Sequence, residues 1–109
     1  MKIGIDIVDT NRFKSGNLSR IFSESEISYA NKFASPHIHL AGFWCAKEAF
    51  LKAYGTGITS LNLSDIYVDH TSSGTPTLVI PDSFNIPQEK IKISISHTND
   101  TATAICIIE

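Results

Sequence analysis

Four ionisable residues stand where the surrounding pattern asks for apolar ones. The run Trp44-Cys45-Ala46-Lys47-Glu48-Ala49-Phe50-Leu51-Lys52-Ala53-Tyr54 is apolar except at Lys47, Glu48 and Lys52, and Asp6 interrupts the alternation of Ile3, Ile5 and Ile7. A charge on an apolar element is costly unless it is paired, bound to a metal or turned into a polar cleft. Glu48 and Lys52 lie four apart, so they are neighbours on a helix. One interpretation is a simple ion pair, contributing about 0.3–0.5 kcal/mol if exposed. The other is chemical. A helix carboxylate and the strand carboxylate of Asp6 can hold Mg²⁺, which keeps waters and takes further oxygens from phosphates. Lys52 can then meet the phosphate charge that the metal leaves. Both interpretations stand on spacing alone. Lys47 falls in the bulky arc of the helix and is expected to snorkel to solvent or to a carboxylate. His97 reads either as a core-capping histidine bonded through Ser96 or Thr98, or as a phosphate contact or acid–base group. His37 and His39 are expected to be exposed.

The elements that must position these groups follow from periodicity. Residues 2 to 8 alternate and predict a strand with Asp6 on the face opposite the isoleucines; an edge carboxylate facing water is the bland alternative. Asp9 suits the turn after it. Residues 10 to 34 carry helical spacing with polar interruptions. Ser23 and Glu26 have capping-box spacing ahead of Ile27, Ala30 and Phe33. Ser35-Pro36 predicts a helix start with Ser35 as N-cap, Tyr54 the end, and Gly55 the stop. Gly55-Thr56-Gly57 predicts a turn that lets backbone approach a ligand. Asp65 to His70 and Thr77 to Ile80 predict a hairpin across the turn 71 to 76, and Pro81 to Glu89 a loop. Lys90 to His97 and Thr101 to Ile108 predict the last strands. The order implies one α+β domain, residues 1–109, with a small, mainly antiparallel sheet packed by helices. Such a sheet leaves apolar surface that an oligomer could cover.

The bulk numbers exclude several classes. The net charge of -2 over 109 residues gives no basic field for nucleic acid. Arg12, Lys14 and Arg20 cluster without an intervening acid, as a solvated face or as a dock for an acidic partner. The two cysteines, Cys45 and Cys106, lie in apolar runs and are expected to be reduced core thiols, not zinc ligands. No run is apolar and long enough to span a membrane, and no secretory leader is evident, so the expected compartment is the cytoplasm.

Gly4-Ile5-Asp6-Ile7, the run from Trp44 to Ile58, and Ser94-Ile95-Ser96-His97 together resemble the bacterial holo-[acyl-carrier-protein] synthases, the small 4′-phosphopantetheinyl transferases. The resemblance covers essentially the whole chain, and the helix motif is its most specific part. It implies a Mg²⁺-dependent enzyme of fatty acid biosynthesis. The enzyme would transfer 4′-phosphopantetheine from coenzyme A to a serine of apo acyl carrier protein, releasing adenosine 3′,5′-bisphosphate. It implies Asp6 and Glu48 as metal ligands, Lys52 and Gly55 at the coenzyme A diphosphate, and His97 towards the nucleotide's phosphate end. Gly74 and Pro76 would line the adenine, and Arg12, with Lys14 and Arg20, would face the carrier. It also implies a homotrimer with active sites between subunits. Many members carry arginine where this chain has Phe43; Lys92 or a neighbouring subunit is the expected replacement. Glu48 is the better candidate than His97 for the base. The competing readings are a transferase serving another carrier domain and a non-catalytic nucleotide- or carrier-binding module. The intact Asp6, Glu48 and Lys52 argue for catalysis.

Overall fold

The computed structural model describes residues 1–55 and 62–109. In chain order the elements are β1 (Lys2–Asp9), α1 (Glu24–Ala30), α2 (Pro36–Tyr54), β2 (Tyr67–His70), β3 (Pro76–Val79), β4 (Ile91–His97) and β5 (Thr101–Ile108). β1, β5 and β4 form an antiparallel sheet in that order, and β2 and β3 pair as a separate hairpin. The architecture is therefore the expected α+β one, with the last strand at the centre of the main sheet.

α2 lies on this sheet through its small-residue arc. Ala41, Cys45, Ala46, Ala49 and Ala53 are all buried. Gly4 permits the approach: a Cβ there would collide with the carbonyl oxygen of Ala49. Gly42 is likewise tight, its Cβ position lying 2.8 Å from Ile95 Cγ2. The helix begins at Pro36 and ends on Gly55, whose φ of 93° is left-handed and whose N–H bonds Leu51 O. Ser35 precedes the helix but makes no side-chain capping bond. The turn read over Gly55-Thr56-Gly57 extends beyond the described residues after Gly55.

Register fixes the faces of the sheet. Gly4, Asp6 and Val8 pair with Cys106, Ala104 and Ala102, which pair in turn with Ile93, Ile95 and His97. Directly paired residues share a face, and the buried Ala102, Ala104 and Cys106 show that this face meets the helix. Asp6 therefore points inward, not to water. Ile3, Ile5 and Ile7 are the outward set, 61%, 62% and 68% exposed.

The helical spacing of residues 10 to 34 resolves into 3₁₀ turns at Thr10–Phe13 and Leu18–Arg20, followed by α1. Phe33 lies beyond α1 and is exposed. Propensity could not hold a longer helix here because Phe13 and Phe22 must both turn into the core, where their rings meet at 5.6 Å. The 81–89 segment is not featureless: it carries short 3₁₀ turns at Asp82–Phe84 and Gln88–Lys90.

Candidate functional site

β1 and α2 bring Asp6, Glu48 and Lys52 together. The Lys52 ammonium donates to Asp6 Oδ1 at 3.1 Å and to the Ile5 carbonyl at 3.0 Å. The Asp6 side chain is only 16% exposed. Lys52 thus pairs across to the strand and not along the helix with Glu48. Burial, then the Asp6 charge, push the Glu48 carboxyl above its ordinary value, while Lys52 and Arg12 oppose the shift. Arg12 reaches this group from the 3₁₀ turn after β1. Its guanidinium carbon lies 4.7 Å from the centre of the half-buried Trp44 ring. Cys45, one turn before Glu48, donates its thiol to Ala102 O at 3.4 Å. Burial, and then the nearby Asp6 carboxylate, push that thiol up to about 12.

Lys47 does find a carboxylate, and it is Glu26. Both side chains are fully buried, with Nζ to Oε1 at 2.7 Å. Lys47 also donates to Ile21 O at 2.6 Å and to Leu63 O at 3.1 Å. Glu26 in turn accepts from the backbone N–H groups of Ser23 and Val68. The capping box is present as read, but the same carboxylate is the centre of a buried network. Burial lowers the Lys47 ammonium from its ordinary value and Glu26 opposes that. The capping spacing identified Glu26 in the sequence; its second role depends on a partner twenty-one residues away.

His97 lies elsewhere. It is exposed and meets His39 edge-on at 5.6 Å, with no bond through Ser96 or Thr98 among the described residues. His37 and His39 are half-buried, contrary to the expected exposure, and His39 stacks on Phe33 at 3.9 Å. Phe43 is buried between Tyr29 and His70, with ring centres 5.9 and 5.8 Å away. Lys92 cannot stand in for an arginine at that position within the chain. It pairs with Ile107 and so lies on the outer sheet face. Gly74, with φ of 90°, turns the β2–β3 hairpin, and Pro76 opens β3. Lys14 and Arg20 are exposed on the segment between β1 and α1.

The donor set at Asp6 and Glu48 fits a hard divalent cation. Among the described residues there is no group of three or more metal-ligating side chains. Two carboxylates and no more suit an ion that draws its remaining oxygens from water and phosphate. A softer metal would want a thiolate, and the Cys45 thiol stays protonated. The Lys52 ammonium on Asp6 also shows that this carboxylate accepts positive charge.

A family model described as the 4′-phosphopantetheinyl transferase superfamily matches residues 2–106. A holo-[acyl-carrier-protein] synthase of Chloroherpeton thalassium is 38% identical over 118 residues, spanning 100% of this chain and 98% of that protein. The crystal structure of a holo-(acyl-carrier-protein) synthase from Bacillus anthracis in complex with CoA (3′,5′-ADP) matches with a TM-score of 0.83 at 32% identity, covering 99% of this chain and 95% of that one. A Helicobacter pylori holo-[acyl-carrier-protein] synthase in complex with coenzyme A matches with a TM-score of 0.83 at 32% identity, covering 98% of this chain and 99% of the other.

Proposed function

The chain belongs to the 4′-phosphopantetheinyl transferase superfamily, and from that membership we infer that it moves 4′-phosphopantetheine from coenzyme A to a serine of the apo acyl carrier protein. The observation that carries the reading is the meeting of Asp6 from β1 with Glu48 and Lys52 from α2, in a chain matched end to end by synthases of this kind.

Asp6 and Glu48 would hold Mg²⁺, and the chemistry supplied by that ion when bound is positive charge against the diphosphate. Lys52, more than half exposed, is free to swing from Asp6 to a phosphate oxygen. There it stabilises charge that grows on the leaving group. Gly55 ends α2 in a left-handed turn without a side chain, so backbone can pass close to the diphosphate. As the serine oxygen bonds to the phosphopantetheinyl phosphorus, the bond to adenosine 3′,5′-bisphosphate breaks. The serine proton passes to Glu48, whose raised carboxyl is a better acceptor near neutral pH than an exposed glutamate. Gly74 and Pro76 would line the adenine, and His97 would face the nucleotide's phosphate end.

Arg12, Lys14 and Arg20 are the surface for the acidic carrier. Arg12 is held against Trp44, beside the site. The outward isoleucines of β1 support a homotrimer, since an exposed apolar strand calls for a partner. Service to a fatty acid carrier would put its work in the cytoplasm; separately, no described helix is long and apolar enough to cross a membrane.

The test is to incubate the protein with apo acyl carrier protein, coenzyme A and Mg²⁺ and read the carrier's intact mass. The expected result is a gain of one phosphopantetheine that chelator abolishes and Mg²⁺ restores. An unmodified carrier in the presence of Mg²⁺ would refute the reading.

A further inference from the structure

Thr10 has no task in the transfer chemistry, yet it is polar and fully buried. It opens the 3₁₀ turn Thr10–Phe13, immediately after β1. A buried hydroxyl is costly unless it is bonded, and this one donates to the Asn99 carbonyl at 2.6 Å. The Thr10 N–H bonds the next carbonyl, Asp100 O, at 2.9 Å. One residue thus clasps two successive carbonyls of the turn between β4 and β5. That turn is itself braced, because the Thr98 hydroxyl accepts from the N–H groups of Asp100 and Thr101.

The other end of the 3₁₀ turn is fixed as well. Phe13 is buried, its ring 5.7 Å from that of Trp44. Between the clasp and Phe13 stands the only cation of the turn, the exposed Arg12. Its guanidinium carbon lies 4.7 Å from the Trp44 ring centre and 5.7 Å from that of Phe13, in cation–π range of both. Trp44 precedes Glu48 by four residues on α2, so the two share a helix face. The guanidinium is therefore held at the rim of the site, and Glu48 feels its charge. An exposed arginine ordinarily samples many rotamers, and ordering it on binding weakens affinity. Here the clasp restricts its backbone and the indole restricts its side chain.

We propose that Thr10 and Trp44 are positioning residues for the carrier: the Thr10 hydroxyl bond fixes the turn, the indole fixes the guanidinium, and Arg12 is aimed before the carrier arrives. The proposal rests on the transfer reaction inferred above, with Arg12 as a carrier contact. Thr10 is buried and touches neither substrate; it acts through Arg12 alone. An acidic partner then meets a cation that has already lost its freedom, beside the carboxylate that takes the serine proton.

The test measures KM separately for apo acyl carrier protein and for coenzyme A. Thr10→Val removes the hydroxyl and keeps the shape. It should raise the carrier KM by about three- to tenfold, the effect of ordering one long side chain on binding. The coenzyme A KM and kcat should stay as in the native chain. Thr10→Ser, which keeps the hydroxyl, should have the native carrier KM, and Trp44→Leu, which removes the ring, should show the same carrier-specific rise. Neither Thr10→Val nor Trp44→Leu should add to the effect of Arg12→Ala. A rise in both KM values, or an equal rise with and without Arg12, would mean that these residues only hold the fold, and would overturn the proposal. NMR gives a readout that needs no variant to fold. In the native chain the δ-methylene protons of Arg12 should lie upfield of their unfolded-chain position, moved by the Trp44 ring current; protons at the unfolded position would sink the proposal. If the native chain modifies no carrier, the transfer reading fails. The hold on Arg12 is then scored by those protons, which should stay upfield in Thr10→Ser and return towards the unfolded position in Thr10→Val.

Discussion

At the scale of single residues, the site is a set of carboxylates and cations whose environments set their tasks. Glu48 is half-buried beside Asp6, so its carboxyl is raised, first by burial and then by the like charge. Glu48→Gln should lower kcat by about 100-fold or more, if the carboxylate accepts the serine proton. Stopped assays of carrier modification check this, and near-native turnover would assign the base elsewhere. Cys45 is the opposite case. Its thiol sits against the same carboxylate yet is pushed up to about 12, and Cys106 is pushed to about 11 by burial. Neither should react with a thiol reagent near neutral pH in the folded chain, whereas both should react in urea. Rapid labelling of the native chain would show that the pocket opens. The residues that sequence reading identified, Asp6, Glu48 and Lys52, were visible because a charge in an apolar pattern is an anomaly. Their pairing was not visible. Lys52 goes to Asp6, across elements, because Gly4 lets the strand close on the helix. Spacing along the helix had pointed to Glu48.

At the scale of elements, α2 was legible from Pro36 to Gly55 because proline, periodic apolar residues and a left-handed glycine all mark the same boundaries. The segment before it was not. Helical spacing there was produced by Phe13 and Phe22 serving the core from 3₁₀ turns, and local pattern cannot distinguish the two. The buried Lys47–Glu26 pair joins α2 to α1, to Ile21, to Leu63 and, through Glu26, to β2. Lys47→Met leaves Glu26 buried and charged without its cation. Urea unfolding should show a loss of about 3–5 kcal/mol. A change below about 1 kcal/mol would mean that water or another cation reaches Glu26. Gly4→Ala tests the strand–helix contact. The new methyl meets the Ala49 carbonyl, a rigid backbone atom, so both stability and transfer activity should fall.

At the scale of the whole molecule, two features reach beyond one site. The outer face of β1 carries Ile3, Ile5 and Ile7 in the open. Sedimentation of the native chain should give an oligomer, and Ile5→Lys should give monomers with reduced transfer. A native monomer at assay concentration would remove the reason for those isoleucines. The second feature is pH. Burial, then His97 and His70, hold His39 below its ordinary 6.5. Burial does the same to His70, against Asp69 and with Lys32. The unfolded chain therefore binds more protons than the folded one as the pH drops below about 6.5, and stability declines through that window. The melting temperature should be lower at about pH 5.5 than at about pH 7.5. The acid-induced drop should be smaller when His39→Gln and His70→Gln are combined. An equal drop in both would place the acid sensitivity elsewhere.

The strand order has a consequence for how the enzyme comes into being. Among the described residues β1 pairs with β5 alone, and the two strands lie almost a hundred residues apart. During synthesis on the ribosome Asp6 emerges well before Thr101 to Ile108, the segment with which its strand pairs. The pairing that holds the Asp6 strand in its sheet is thus among the most distant in sequence, which slows folding relative to a helical domain of the same size. Until then the isoleucine-rich strand is an unpaired edge, so nascent and truncated chains should depend on chaperones that the finished protein no longer needs.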